Sequence, residues 1–289
     1  MDQELNTVID ENKCIGCAKC IKVCPFKIIF MKDKKAVLSG DRCAACGHCA
    51  AACPVNAIHV GDIADESSHF STFQADTTWL QHGEFDIVQL ARLMGSRRSC
   101  RNFKDKPVDR TILEDLVKIG ITAPSGTNAQ RWTFTLLPTR KAVLALMESV
   151  HHFYEKLSEL SEDQSLHPYP DYTAVLKKML SAWTNMKIDV MFHGAPAIII
   201  VGSKSGATSP GEDALLATQN ILLAAHSMGL GTCFNGFAAT AMEQDVTIKR
   251  TLGIPDDETV YSVILLGYPN ETYRLVTGRK PYTQRYFEG

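Results

Sequence analysis

Eight cysteines carry the first chemistry in this chain, because thiolates are the soft ligands that hold iron and zinc. They fall in two runs of one spacing, Cys14-x2-Cys17-x2-Cys20-x3-Cys24-Pro25 and Cys43-x2-Cys46-x2-Cys49-x3-Cys53-Pro54. Three readings compete. A disulfide framework needs an oxidising compartment, and the acidic start Met1-Asp2-Gln3-Glu4 has none of the basic and apolar parts of an export signal. A zinc site takes four ligands from two Cys-x2-Cys pairs and leaves thiols over. Iron–sulfur ligation uses this run as it stands. Three closely spaced thiolates curl into one concavity, and the fourth ligand must come from a distance. Pro25 and Pro54 fix φ just after the last cysteine of each run, while Gly16, Ala18, Ala44, Ala45 and Gly47 leave room for a cluster.

Residues 1 to about 60 closely resemble the two-cluster bacterial ferredoxins, and the repeat runs past the ligands: Cys24-Pro25-Phe26-Lys27-Ile28-Ile29 mirrors Cys53-Pro54-Val55-Asn56-Ala57-Ile58. The resemblance implies two 4Fe–4S clusters that exchange their fourth ligands. Cys14, Cys17, Cys20 and Cys53 would hold one, and Cys43, Cys46, Cys49 and Cys24 the other. Such a domain passes single electrons, and a wire needs something at its far end.

Four later pieces fit one ligand. Ser96-Arg97-Arg98-Ser99-Cys100-Arg101-Asn102-Phe103 offers guanidinium groups that grip a phosphate bidentately, or else form a solvated face. Ala123-Pro124-Ser125-Gly126-Thr127-Asn128-Ala129-Gln130-Arg131-Trp132 is a turn-rich loop whose amides suit the edge of a flat heterocycle, or is a turn and no more. Gly229-Leu230-Gly231-Thr232-Cys233-Phe234-Asn235-Gly236 either caps a helix or lets backbone amides approach a ligand. Gly267-Tyr268-Pro269 is trailed by Gly278-Arg279-Lys280. Each alone is weak, but in this order they resemble the nitroreductase family of FMN proteins over residues 86–289.

That resemblance implies an α+β fold: a two-cluster ferredoxin-like unit (1–60), a linker (61–85) and an FMN-binding α/β sandwich (86–289). It implies an intertwined homodimer with FMN at the subunit interface. Carried over by position, Arg97, Arg98, Ser99 and Arg101 meet the phosphate and pyrimidine edge. Pro124, Ser125 and Asn128 form the loop contributed across the dimer, with Gln130 in support. Asn235 and Gly236 offer the backbone donor to flavin N5, and Arg279 (or Lys280, one position on) meets the phosphate. Arg131 departs from the family, where many members carry Pro before the Trp. The flavin supplies the chemistry, so no acid, base or nucleophile is expected in the protein.

The elements that must position these pieces follow from patterning. Ile87, Leu90, Ala91 and Met94 keep helical spacing up to Gly95, and 109–119, 141–150 and 213–228 read as further helices. Thr133–Leu137, Ala197–Val201 and Val260–Leu266 read as strands of a sheet covered on both faces. Residues 151–190 are helix-like with a break at His167-Pro168-Tyr169-Pro170; Tyr154, Tyr169, Tyr172, Trp183 and Met186 there are a lid over the flavin or plain core. Phe70, Phe73 and Trp79 in the linker are expected to pack. Cys100 and Cys233 read as buried apolar-like residues, and the histidines show no ligand spacing.

Lys and Arg number 30 against 32 Asp and Glu, a balance that argues against a nucleic-acid partner. No apolar run nears the roughly 20 residues that cross a bilayer, so a cytoplasmic location is expected. The function expected is two-electron reduction of a small organic acceptor, nitroaromatic or quinone, fed through the clusters. An external ferredoxin or other low-potential carrier is favoured as donor over NAD(P)H. A non-catalytic relay to a partner protein, another flavin reaction on the same fold, and a redox sensor stay open.

Overall fold

Each cysteine run ends in a short helix, α1 at Lys19–Val23 and α2 at His48–Ala51. The computed structural model describes residues 6–40, 42–61, 63, 68–160 and 173–289. Left-handed residues at Gly16, Ala18 and Lys27 recur at the same offset as Ala45, Gly47 and Asn56, so the repeat is one of backbone shape as well as of cysteines. At Gly16 a Cβ would stand 2.3 Å from the Lys34 carbonyl oxygen, which only glycine avoids. The ends of the repeat meet as β1 (Thr7–Ile9) pairs antiparallel with β4 (Ile58–Val60), and β2 (Ile29–Lys32) pairs with β3 (Lys35–Leu38).

The following stretch is a strap, where the sequence reads as a linker. Asp115, fully buried, accepts hydrogen bonds of 2.7–3.0 Å from the Ser71 and Thr72 amides and the Thr72 hydroxyl. Lys118 Nζ donates to the His69 carbonyl at 2.6 Å. Phe70 stacks on Phe73. Trp79, expected to pack, is 67% exposed with its edge toward His82.

Beyond it come α3 (Ile87–Ser96), α4 (Arg110–Gly120), β5 (Trp132–Leu137), α5 (Arg140–Leu160) and α6 (Thr173–Met186). β6 (Ala197–Lys204), α7 (Pro210–Ser227), β7 (Gly231–Phe234), α8 (Gly236–Gln244), α9 (Val246–Thr251) and β8 (Glu258–Gly267) complete the order. Asp86, Asp109 and Asp245 cap α3, α4 and α9 through their carboxylates. The sheet is wholly antiparallel in the order β5-β6-β8-β7. Along β6 the pleat alternates: Ile198 and Ile200 join a core with α5, α6 and α8, while Ala197, Ile199 and Val201 join one with α4 and α7. Both faces are therefore dry, as the uniformly apolar strands require.

α5 runs ten residues beyond its expected end because Tyr154 continues the buried stripe. Tyr154, a lid candidate, is core: it is 4% exposed and its hydroxyl donates to the Phe237 carbonyl at 3.0 Å. Trp183 packs on His151, Met186 is 62% exposed, and Tyr169, Tyr172 and the Pro-containing break lie outside the described residues. Neither ring nitrogen of buried His151 has a hydrogen-bond partner among the described residues, and burial holds its pKa below the usual value. The unfolded chain therefore takes up the proton first, and stability should fall as pH drops through about 6.5. In urea titrations from about pH 7.5 to about pH 5.5, His151→Leu should flatten that fall; an unchanged slope would contradict it.

Candidate functional site

Each of two cavities in the first unit is lined by four thiols. One holds Cys14, Cys17, Cys20 and Cys53, and the other Cys43, Cys46, Cys49 and Cys24, so the structure gathers the cysteines in the exchanged sets. Among the described residues no three His, Cys, Asp or Glu side chains close on a point tightly enough for a single metal ion. The thiols are spread around a larger volume instead, with apolar walls from Ile9, Ala36 and Ile58 on one side and Ile28, Leu38 and Val60 on the other. The Ala36, Ala45 and Ala57 amides donate to the sulfurs of Cys14, Cys43 and Cys53 at 3.4, 3.4 and 3.2 Å. Spread thiols, dry walls and amide donors to sulfur fit iron–sulfur clusters.

A second concentration of charge lies where α3 ends. Arg97 is half-buried, and burial with the neighbouring charges of Arg279 and Arg98 lowers its pKa. No carboxylate pairs with Arg97, Arg101 or Arg279 among the described residues. Uncompensated guanidiniums this close repel one another unless an anion joins them, and a phosphate fits that donor set. Arg98 differs. Its guanidinium donates to the Gly95 and Arg97 carbonyls and to the Thr277 carbonyl and hydroxyl, so it pins the C-terminal segment. Ser99 forms a parallel bridge with Thr232 and extends the sheet past β7.

The turn-rich loop sits at the other edge. It enters β5 through a single 3-10 turn, Gly126–Asn128. Thr127, Asn128 and Gln130 all adopt left-handed conformations, which a β-branched residue such as Thr127 resists. The Gly126 amide and the Trp132 indole N–H donate to Asp213 on the first turns of α7, and the Gln130 amide donates to the Ser125 hydroxyl. Pro124 and Gln130 are exposed. Asn128 Nδ2 donates 2.8 Å to the carbonyl of Ala44, between Cys43 and Cys46. The loop thus carries a cluster-lining turn on its back.

The structure does not bring the two halves of the expected flavin site together within one protomer. Trp132 pairs with Ser203 and Ser203 with Thr259, whereas Ser99 bridges Thr232 and Thr232 pairs with Leu266. The halves are offset by seven residues along β8 and four strand spacings across, about 24 Å by about 19 Å. A second ruler agrees: α7 holds Asp213 at the loop and His226 beside Arg98, about 20 Å along the helix axis.

A model of the nitroreductase family matches residues 94–268, more than half of the chain. The chain belongs to the nitroreductase family. A 4Fe-4S dicluster domain model matches residues 7–60. A provisionally named NADH dehydrogenase/NAD(P)H nitroreductase of Methanothermobacter thermautotrophicus is 29% identical over 194 residues, covering 65% of this chain and 82% of that protein. The 4-nitrobenzoate reductase of Nocardioides sp. is 26% identical, covering 65% and 85%. Among solved structures, an FMN-bound nitroreductase of Bacteroides fragilis has a TM-score of 0.52 at 22% identity, covering 68% of this chain and 95% of its own.

Within this nitroreductase domain Asn235 is spent on structure. Its Oδ1 accepts from the Ala238 amide as the cap of α8, and its Nδ2 donates to the Met191 carbonyl. Gly236 follows at the first position of α8, exposed, its N–H without a partner among the described residues. Cys100 and Cys233 are buried, and burial pushes the Cys100 thiol up to about 11 and raises Cys233 as well, so both stay inert thiols. His193 is the neighbour that spacing did not reveal. It takes a left-handed conformation, feels the charges of Asp189, Arg101 and Glu271, and is held below its usual pKa by burial. Its only sequence signal is the following Gly194.

Proposed function

We propose that this nitroreductase-family chain is an FMN-dependent oxidoreductase in which single electrons enter through two 4Fe–4S clusters and leave as a pair to a small organic acceptor. The observation that carries the reading is the Asn128–Ala44 hydrogen bond, which seats the Cys43–Cys46 turn on the loop assigned to the flavin. Arg97, Ser99, Arg101 and Arg279 would hold the FMN phosphate and pyrimidine edge, with Arg98 fastening the segment that carries Arg279. The Gly236 N–H would meet N5, and Asn235 orients that amide through its cap. FMN supplies conversion between one-electron carriers and two-electron chemistry. The chain's own residues bind and orient it, and Arg101 offers a fixed cation beside the ring that favours its reduced, anionic form.

Residues 1–60 and 86–289 are the working units of this reading, with 61–85 as the strap. The acting form is a homodimer. In a lone protomer α3 buries none of its residues, Ile87 and Val88 stay 69% and 67% exposed, and Leu275 and Phe287 of the C-terminal segment stay 81% and 94% exposed. Patches of this kind call for a second surface, and the offset halves of the flavin site call for a second copy. No helix among the described residues is long and apolar enough to cross a membrane; the reading keeps the protein in the cytoplasm, with a low-potential one-electron carrier as donor and no nucleic acid as partner.

Anaerobic stopped-flow tests the donor. In a variant with Cys17→Ser and Cys46→Ser, flavin reduction by NADPH or NADH should be slow beside the rate at which a one-electron donor reduces the parent. Fast NAD(P)H reduction of that variant would overturn the clusters as the obligatory input.

A further inference from the structure

The loop that carries the cluster turn and the arginines that would grip the flavin phosphate lie on opposite edges of one sheet, roughly 20–30 Å apart by strand and helix spacing. One flavin mononucleotide cannot bridge that span within a protomer. Asn128 is half-buried under the Ala44 carbonyl, and its loop is held in three strained left-handed positions and tied to α7 through Asp213. The cluster turn therefore travels with the loop. Whatever flavin site the loop completes is the site the clusters serve.

From this we infer that electrons cross the dimer: each ferredoxin unit reduces the flavin held by the arginines of the other protomer. The inference rests on the flavin assignments proposed above, and goes beyond them in saying which cluster pairs with which flavin. In each reductive half-cycle two single electrons leave two molecules of an external one-electron donor, pass through the clusters, and reduce one isoalloxazine, which takes up one proton from water to reach its anionic reduced form. The clusters return to their starting state. The working redox pair thus never shares a polypeptide, and an isolated protomer should be inactive even with all its cofactors. Asn128 is a positioning residue here, since it sets which flavin the Cys43–Cys46 turn faces.

Mixed dimers purified through two affinity tags decide the wiring. In the first, one protomer carries Cys17→Ser and Cys46→Ser and the other carries Arg97→Ala and Arg279→Ala. Crossed wiring puts both lesions into one site and leaves the other whole, so about half the parent rate of flavin reduction by the one-electron donor should survive. In the second, all four substitutions sit on one protomer and its mate is unaltered. Crossed wiring then damages both sites and the rate should drop to that of the cluster-free homodimer. Bound FMN should be about one per dimer in both. The emission lifetime of that flavin, shortened by a neighbouring cluster, should match the parent in the first dimer and lengthen in the second.

The reverse pattern, with the second dimer active and the first silent, would overturn crossed wiring while leaving the proposed function in place. Equal rates in both mixed dimers, in the parent and in the cluster-free homodimer would overturn both. Should the cysteine substitutions unfold the first unit, Asn128→Asp takes their place in the same two mixed dimers, with the faster rate again expected when it sits opposite the Arg97→Ala, Arg279→Ala protomer. A carboxylate facing the Ala44 carbonyl should slow flavin reduction by the one-electron donor and lengthen the flavin lifetime; an unchanged rate and lifetime would contradict the role given to this contact.

Discussion

Arg97→Ala should weaken FMN binding by roughly ten- to a hundredfold, because a hydrogen bond to a charged group is worth about 1.5–3 kcal/mol and each 1.4 kcal/mol is tenfold. The effect should be large because Arg97 is half-buried beside Arg279 and Arg98 with no carboxylate among the described residues to repay its desolvation. Arg279→Ala should act alike, with a smaller loss because it is exposed and its side chain is freer to move. Arg98→Ala should change FMN affinity by less than about threefold, since its donors are committed to Gly95, Arg97 and Thr277. Titration of flavin-free protein, followed by flavin fluorescence, gives the three affinities. A loss at Arg98 exceeding that at Arg97 would reverse the assignment.

Asp115→Ala should destabilise the protein by about 2–4 kcal/mol, because it strands two backbone amides and a hydroxyl that the carboxylate now satisfies in a buried site. The Lys118 ammonium 3.4 Å away loses its ion-pair partner too and keeps the His69 carbonyl. Burial pushes the Asp115 carboxyl up, yet the bonds from Ser71, Thr72 and Lys118 outweigh it, and the net result lies below the ordinary carboxylate range. The sign follows. The contribution is present above the unfolded value of about 3.9 and is lost as pH falls through the lower folded one. Urea denaturation gives the stability, and limited proteolysis between residues 68 and 85 shows whether the strap has come loose. A change within about 0.5 kcal/mol would mean that the strap is not held by this carboxylate.

The cysteine pattern was legible because cluster ligation is a local problem. Three ligands at fixed short spacing dictate their own loop, and the proline after each fourth cysteine turns the chain away. The left-handed residues repeating with the cysteines belong to the same local code. Strands β6 and β8 were legible for a related reason, since strands buried on both faces read as continuous apolar runs, whereas edge strand β5 shows in its β-branched and aromatic residues. β7 was not: Gly231-Thr232-Cys233-Phe234 is short and glycine-led, and it becomes a strand only because β8 pairs with it. Helices α8 and α9 are not legible because α9 is only six residues long and α8 is led by glycine and filled with small residues, so neither shows a helical stripe of large apolar side chains.

At the site, residue types announced the arginines but not their division of labour. Nothing in Arg97-Arg98 says that one side chain is half-buried beside Arg279 and its neighbour pins Thr277; that depends on how α3 ends against a segment 179 positions away. Asn235 and Asn128 show the same limit. Residue type does not say that one side chain caps α8 and the other holds Ala44. A contact between residues 84 positions apart is a property of the fold, and in the proposed function it is what would join two recognisable modules into one electron path.

The central claim is that electrons from the clusters reach the flavin. Anaerobic rapid mixing of the holoprotein with a low-potential one-electron donor tests it most directly, read at cluster and flavin absorbance together and compared with the Cys17→Ser, Cys46→Ser protein. The account predicts that cluster bleaching precedes flavin reduction, and that losing the clusters slows flavin reduction by an order of magnitude or more. Flavin reduction at the same rate with and without clusters would contradict it.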